Sequence, residues 1–216
     1  TEATMVPGRS ALSAHLLVED IELWPIVLHN ARRILKQEFD IKAVTAFPAG
    51  LCPQVPVDDK KWYPIYATLI DLDIPFCPCM GVPGPRLPMA PQRVELLDEV
   101  CWFFPELKFV MRHGAEPWAD LAAKLLLKWP NLYYSTSAFA PKYYPTAIVD
   151  YANTRGADKV IYAGYFPAGL TLERIFKELV DVPLKDEVWP MPWILILKRN
   201  EGTSWRQANP PVCLQI

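Results

Sequence analysis

His113 is the residue of this chain whose type and setting bear most directly on chemistry. It follows the apolar run LKFVM and Arg112, precedes Gly114, and opens into an acidic, aromatic segment in LKFVMRHGAEPW. An imidazole ordinarily titrates at about pH 6.5, so it can give or take a proton near neutrality. By residue type alone, His113 stays open between an acid-base catalyst and a histidine held by structural hydrogen bonds. Cys77 and Cys79 stand two apart like a pair of thiolate ligands, but Pro78 between them on an apolar run favours ordinary packing. Arg86, in the loop GVPGPRLPMAP, could clamp a substrate carboxylate or sit solvated. Glu116 and Asp120 follow His113 closely, and favourable charge at a helix N-terminus explains them better than acid-base work. His15 and His29 fall in polar or helical context and read as chemically silent.

Composition narrows the class of partner. The 216 residues suit one domain, with 51% hydrophobic and 21% charged side chains, far from the profile of a disordered chain. With 22 basic against 24 acidic residues the net charge is -2, so no electrostatic footprint recommends nucleic acid or an anionic membrane. The longest apolar runs, such as WILIL at 193–197, fall far short of the roughly 20 residues that span a bilayer, and no basic start with an apolar stretch reads as a secretory signal. Five cysteines at irregular spacing, without a CxxC pair, point to reduced thiols in a cytoplasmic setting. A small-molecule substrate is the expected partner.

The elements that must position these residues follow one grammar. DIKAVTAF, IPFCPCMG, LKFVMRHG, NLYYSTSA and DKVIYAGYFP each read as a strand. Between them, KKWYPIYATLIDLD, QRVELLDEVCWFF, WADLAAKLLLKW and YPTAIVDYANTRG carry helical spacing. In the second of these, Val94, Leu97, Val100, Cys101 and Phe104 form one apolar stripe while Arg93, Glu95 and Glu99 face away. Upstream, VEDIELWPIVLHNARRILKQEF reads as a helix interrupted near Pro25. Strands alternating with helices require crossovers and hence a parallel sheet, either doubly wound or a (β/α) barrel. No GxGxxG or GxxxxGK[ST] turn speaks for nucleotide binding.

In such folds ligands bind at the carboxyl ends of the strands. Those ends carry Phe47-Pro48-Ala49-Gly50, Cys79-Met80-Gly81, Arg112-His113-Gly114, Ser135-Thr136-Ser137 and Tyr165-Phe166-Pro167. Strand alternation places His113 on the face of Phe109 and Met111, and Cys79 on that of Cys77.

The run FFPELKFVMRHGAEPWADLAAKLLLKWPNLYYSTSAF resembles the amidohydrolase-related family of metal-dependent TIM-barrel hydrolases, which also contains the aminocarboxymuconate semialdehyde and resorcylate-type decarboxylases. The resemblance extends over about residues 40–189 of a single domain, through IPFCPCMGVPGPR and GADKVIYAGYFPAGLTLERIF, and leaves 190–216 as a divergent tail. It implies an α/β fold of (β/α) TIM-barrel type, with five strands recognisable and the barrel therefore incomplete. His113 matches the histidine of the sixth barrel strand, which acts as acid or base near a metal-bound water. Cys79 falls where the fifth strand supplies a metal-binding histidine, and Tyr165 of YAGYFP stands where an aspartate ends the eighth. The HxH of the first strand has no counterpart, so a truncated or frame-altered product is one expectation and a relative with a rebuilt rim another.

The implied activity is hydrolysis or non-oxidative decarboxylation of a small carboxylated or aromatic compound. Arg86 would hold a carboxylate, and Trp118 and Phe166 would wall the pocket. A divalent metal, zinc by preference, is implied by resemblance, with Cys79 and Tyr165 as poor replacements for the usual ligands. The alternative expectation is a metal-free fold remnant that binds a small molecule or partner subunit. Exposed sheet edges would favour a homo-oligomer, or cover from the N-terminal helical region and WILIL.

Overall fold

A computed structural model describes residues 2–6, 9–12, 41–164, 169–188 and 212–215. The expected helix upstream of residue 40, the WILIL segment, His15 and His29 lie outside the described residues. Glu2–Val6 (β1) and Arg9–Leu12 (β2) form a separate antiparallel hairpin. The main sheet contains Ile41–Ala46 (β3), Phe76–Pro78 (β4), Phe109–Met111 (β5), Leu132–Ser135 (β6), Val160–Ile161 (β7) and Val212–Gln215 (β8). Its order is β7-β6-β5-β4-β3-β8, with every pair parallel.

Each strand read from the sequence is present, and from β3 to β7 consecutive strands are neighbours, as in a barrel wall. Between them run helices Tyr63–Asp71 (α1), Leu97–Phe103 (α2), Ala119–Lys128 (α3) and Thr146–Tyr151 (α4), with Leu172–Leu179 (α5) after β7. The described strands form an arc and not a closed barrel, matching the incomplete barrel expected. The hairpin β1–β2 and one strand of the main sheet were not foreseen. Val212–Gln215, in the stretch read as a divergent tail, pairs with the outer edge of β3.

The two faces of the sheet differ because the register aligns side chains of one kind. Val44 pairs with Phe76, Phe76 with Phe109, Phe109 with Leu132, Met111 with Tyr134, and Tyr134 with Val160. All are buried, in one cluster with Trp62, Tyr66 and Leu69 of the first helical segment, the α2 stripe, and Leu125 and Leu126 of α3. Phe76 anchors this layer, its ring 5.4 Å from Trp62, 5.3 Å from Tyr66 and 5.6 Å edge-on from Phe109. Buried aromatic rings in tilted or edge-on contact contribute about 0.5–1.5 kcal/mol per pair beyond their area. As read from the sequence, Val94, Leu97, Val100 and Cys101 are buried, Phe104 packs against them, and Arg93, Glu95 and Glu99 are exposed.

The opposite face carries Thr45, Cys77 and Tyr133, all only half-buried, with buried Val110 between them. This inner face is the one a complete barrel would enclose. The half-buried Lys159 Nζ ties the layers together by donating to Leu126 O at 2.7 Å and Trp129 O at 2.6 Å, which satisfies carbonyls at the end of α3. Among the described residues no helix is long and apolar enough to cross a membrane.

Candidate active site

The end of β5 leaves the sheet through a left-handed turn. His113, Gly114 and Ala115 have φ of +64°, +80° and +53°. A side-chain-bearing residue in this region costs about 1–2 kcal/mol, so the turn persists only because its surroundings hold it. Met80 N–H donates to Arg112 O at 3.1 Å, Trp118 N–H to Ala115 O at 2.9 Å and Val82 N–H to Glu116 O at 2.7 Å. The buried Tyr134 hydroxyl donates to Gly114 O at 2.7 Å. Glycine is required at Gly114, where an added Cβ would also meet the Phe139 ring at 2.6 Å.

This turn corrects the face expected for His113. Strict alternation would send it to the helix side with Phe109 and Met111. Instead its ring meets Ser137 and Arg112, residues that alternation assigns to the inner face with Ser135 and Val110. Ser137 Oγ lies 3.2 Å from His113 Nδ1 and accepts the His113 backbone N–H at 3.1 Å. Ser135 Oγ donates to Ser137 Oγ at 3.3 Å, so both buried hydroxyls of the STS segment support the histidine. Arg112 Nη2 lies 3.5 Å from His113 Nε2. A guanidinium only donates, which assigns the ring proton to Nδ1 and leaves the Nε2 lone pair facing Arg112.

Electrostatics follow from this placement. Burial, then the Arg112 charge, lower the His113 pKa to about 4, so the ring is neutral at pH 7. Cys79 extends the sheet beyond β4: its N–H donates to Ala46 O at 2.8 Å, and it pairs across with Arg112. Burial pushes the Cys79 thiol pKa up, opposed in part by the Arg112 charge, so the thiol is protonated at neutral pH.

The implied metal does not fit these groups. Among the described residues no three His, Cys, Asp or Glu side chains gather to hold an ion. The fixed charge of Arg112, which pairs across from Cys79 and lies 3.5 Å from His113 Nε2, would repel a divalent cation at these positions. Tyr165 and Phe166 lie outside the described residues. Arg86 is exposed in the loop after β4. Trp118 is half-buried against the core beside α3, with the Arg93 guanidinium 5.8 Å over its ring. The structure therefore gathers His113, Arg112, Cys79, Ser135 and Ser137, while Arg86 is exposed and Trp118, whose backbone N–H donates to Ala115 O, packs its ring against the core. Sequence reasoning missed Arg112 and the two serines as site residues. The available signal was alternation: Arg112 follows a core methionine, and Ser135 and Ser137 alternate at the end of β6.

A parallel sheet with helices between successive strands and polar groups gathered at the strand ends defines a domain of (β/α)-barrel type. The amidohydrolase family model matches residues 48–182, more than half of the 216, and the chain belongs to that family. Among solved structures it is similar to an uncharacterized TIM-barrel protein from Bordetella bronchiseptica, with TM-score 0.63, 22% identity, and 80% of this chain and 70% of that one covered. It is similar to a dihydroorotase from Campylobacter jejuni, with TM-score 0.56, 16% identity, and 90% and 66% covered. A dihydroxybenzoic acid decarboxylase from Polaromonas sp. JS666, with bound manganese and the inhibitor 2-nitroresorcinol, gives TM-score 0.53, 15% identity, and 82% and 66% covered. The chain thus spans from 66% to 70% of these three structures' length. No curated protein sequence matches it significantly.

Proposed function

We propose that this amidohydrolase domain acts on a small carboxylated or aromatic compound, by hydrolysis or non-oxidative decarboxylation, with His113 moving the proton. The observation that carries this reading is a neutral imidazole at the carboxyl end of β5, fixed at Nδ1 by Ser137 and presenting the basic Nε2. In hydrolysis Nε2 would take the proton of the attacking water and return it to the leaving group. In decarboxylation Nε2, after taking a proton from water, would deliver it to the carbon that bears the carboxylate; the bond to the carboxylate carbon then breaks and carbon dioxide leaves. The family and the likeness to a hydrolase and a decarboxylase fold support this kind of chemistry. The described residues offer a divalent metal no set of three ligands, so both proton transfers fall to His113.

The test is turnover of a panel of hydroxybenzoates and cyclic amides by the purified chain, with and without added zinc or manganese. Turnover by the wild type that falls at least about a hundredfold in His113→Asn, with the fold retained, supports the assignment. Turnover indifferent to that substitution overturns it. The missing ligand set favours a second reading, a non-catalytic relative that binds a small molecule without metal. Ligand binding without any turnover in the same panel would select it.

A further inference from the structure

Arg112 occupies the inner face one step beyond Met111. The register carries Cys79 opposite Arg112 and pairs Met111 with Tyr134, which sets Arg112 level with Ser135. Arg112 is half-buried, stands between Cys79 and Ser135 in the sheet, and reaches His113 Nε2 at 3.5 Å. Several other cations have carboxylate partners: Arg93 with Glu95, Lys108 with Asp73, Lys128 with Asp98, and Arg174 with Glu178. Among the described residues no carboxylate pairs with Arg112. A partly desolvated guanidinium carries five donors in a planar fork, and His113 Nε2 engages at most one of them. The unmatched chemistry is that of a planar oxyanion.

The misfit of the metal points the same way. A fixed cation repels a second cation, and it offers an anion what a metal would otherwise offer. We propose that Arg112 is the anchor for the carboxylate of a small planar acid, taking the electropositive role at this site without a metal. The carboxylate then lies beside His113 Nε2, which places the atom next to the carboxyl group within reach of the imidazole. This names the ligand class of the proposed site and rests on that reading only for the ligand being a substrate.

The probe is sodium benzoate, titrated calorimetrically into the full chain in EDTA. Saturable binding with Kd on the order of 1 mM is expected, as for one charge-assisted fork on a small ligand. Arg112→Gln should weaken it at least about tenfold, and Arg112→Lys by several-fold, because the charge stays and the fork is lost. Lys185→Gln, on an exposed lysine 4.0 Å from Glu187, should leave it unchanged. Circular dichroism of each variant separates lost binding from lost fold, and the lysine variant carries the test if the glutamine variant unfolds.

Undiminished binding in the Arg112 variants, binding that needs manganese or zinc, or no binding by the wild type overturns the anchor. Turnover in the hydroxybenzoate panel without Arg112-dependent binding would sink the anchor and leave the proposed activity. Arg112-dependent benzoate binding without turnover would do the reverse.

Discussion

Ser137 Oγ stands 3.2 Å from His113 Nδ1 and 3.1 Å from the His113 backbone nitrogen, so one hydroxyl fixes both the ring and the left-handed backbone of the histidine. Ser137→Ala leaves a half-buried N–H without this acceptor and frees the ring. The expected loss of stability is about 1–2 kcal/mol in urea denaturation, the cost of stranding a partly buried donor. Any turnover should fall more than stability explains, by about tenfold or more, because the ring is no longer held in the orientation that presents Nε2. Wild-type turnover with unchanged His113 ring chemical shifts by nitrogen NMR would show that Ser137 does not orient the ring.

The neutral state of His113 makes stability depend on acid. Its folded pKa, about 4, lies below the ordinary 6.5, so between these values the unfolded chain binds the extra proton. The stabilisation linked to this residue is complete above pH 6.5 and is lost as pH falls through 4. With solvent screening of a half-buried group, the expected loss between pH 7 and pH 4 is on the order of 1–2 kcal/mol. His113→Gln should flatten this part of the profile. Identical pH slopes in urea midpoints for variant and wild type would show that His113 is not held neutral.

The fold was legible because its signals are local. The five strands and the α2 stripe of Val94, Leu97, Val100 and Cys101 could be read from alternation and helical spacing, and the sheet buries that stripe. The site was less legible because His113 breaks the alternation at a backbone conformation that non-glycine side chains rarely announce. That turn depends on Ser137 and Tyr134, 24 and 20 residues away along the chain, as the His113 N–H bond to Ser137 and the Tyr134 bond to Gly114 show. The pairing of Val212–Gln215 with β3 joins segments far apart in sequence and has no local signature. Arg112 was visible as a residue. Its role required the register that sets it between Cys79 and Ser135.

Exposed aromatic surface bears on assembly. Trp102 and Phe103 at the end of α2 are 71% and 54% exposed, and β7 has only two residues at one end of the sheet. Adjacent exposed apolar side chains commonly mark a contact surface. Sedimentation velocity over about a hundredfold range of concentration should show reversible self-association. Trp102→Glu should weaken it without changing the denaturation midpoint by more than about 0.5 kcal/mol. A single monomeric species throughout would remove this surface from consideration.

Three glycines near the site rank by what surrounds them. At Gly81, φ is +94° and an added Cβ would lie 2.5 Å from the Glu116 carbonyl oxygen, a backbone atom that cannot swing aside. At Gly114, φ is +80° and the obstacle at 2.6 Å is the Phe139 ring, which can rotate away in part. At Gly84 nothing lies within 4 Å and no left-handed φ is adopted. Gly81→Ala should therefore cost most, about 3 kcal/mol or more from overlap and left-handed strain together. Gly114→Ala should cost about 2 kcal/mol and disturb His113, since the two share one turn. Gly84→Ala should be neutral or stabilising by up to about 1 kcal/mol, because the substitution restricts the unfolded chain. Urea midpoints for the three variants test the order, and a Gly84→Ala loss equal to that at Gly81 would refute the turn geometry on which the placement of His113 depends.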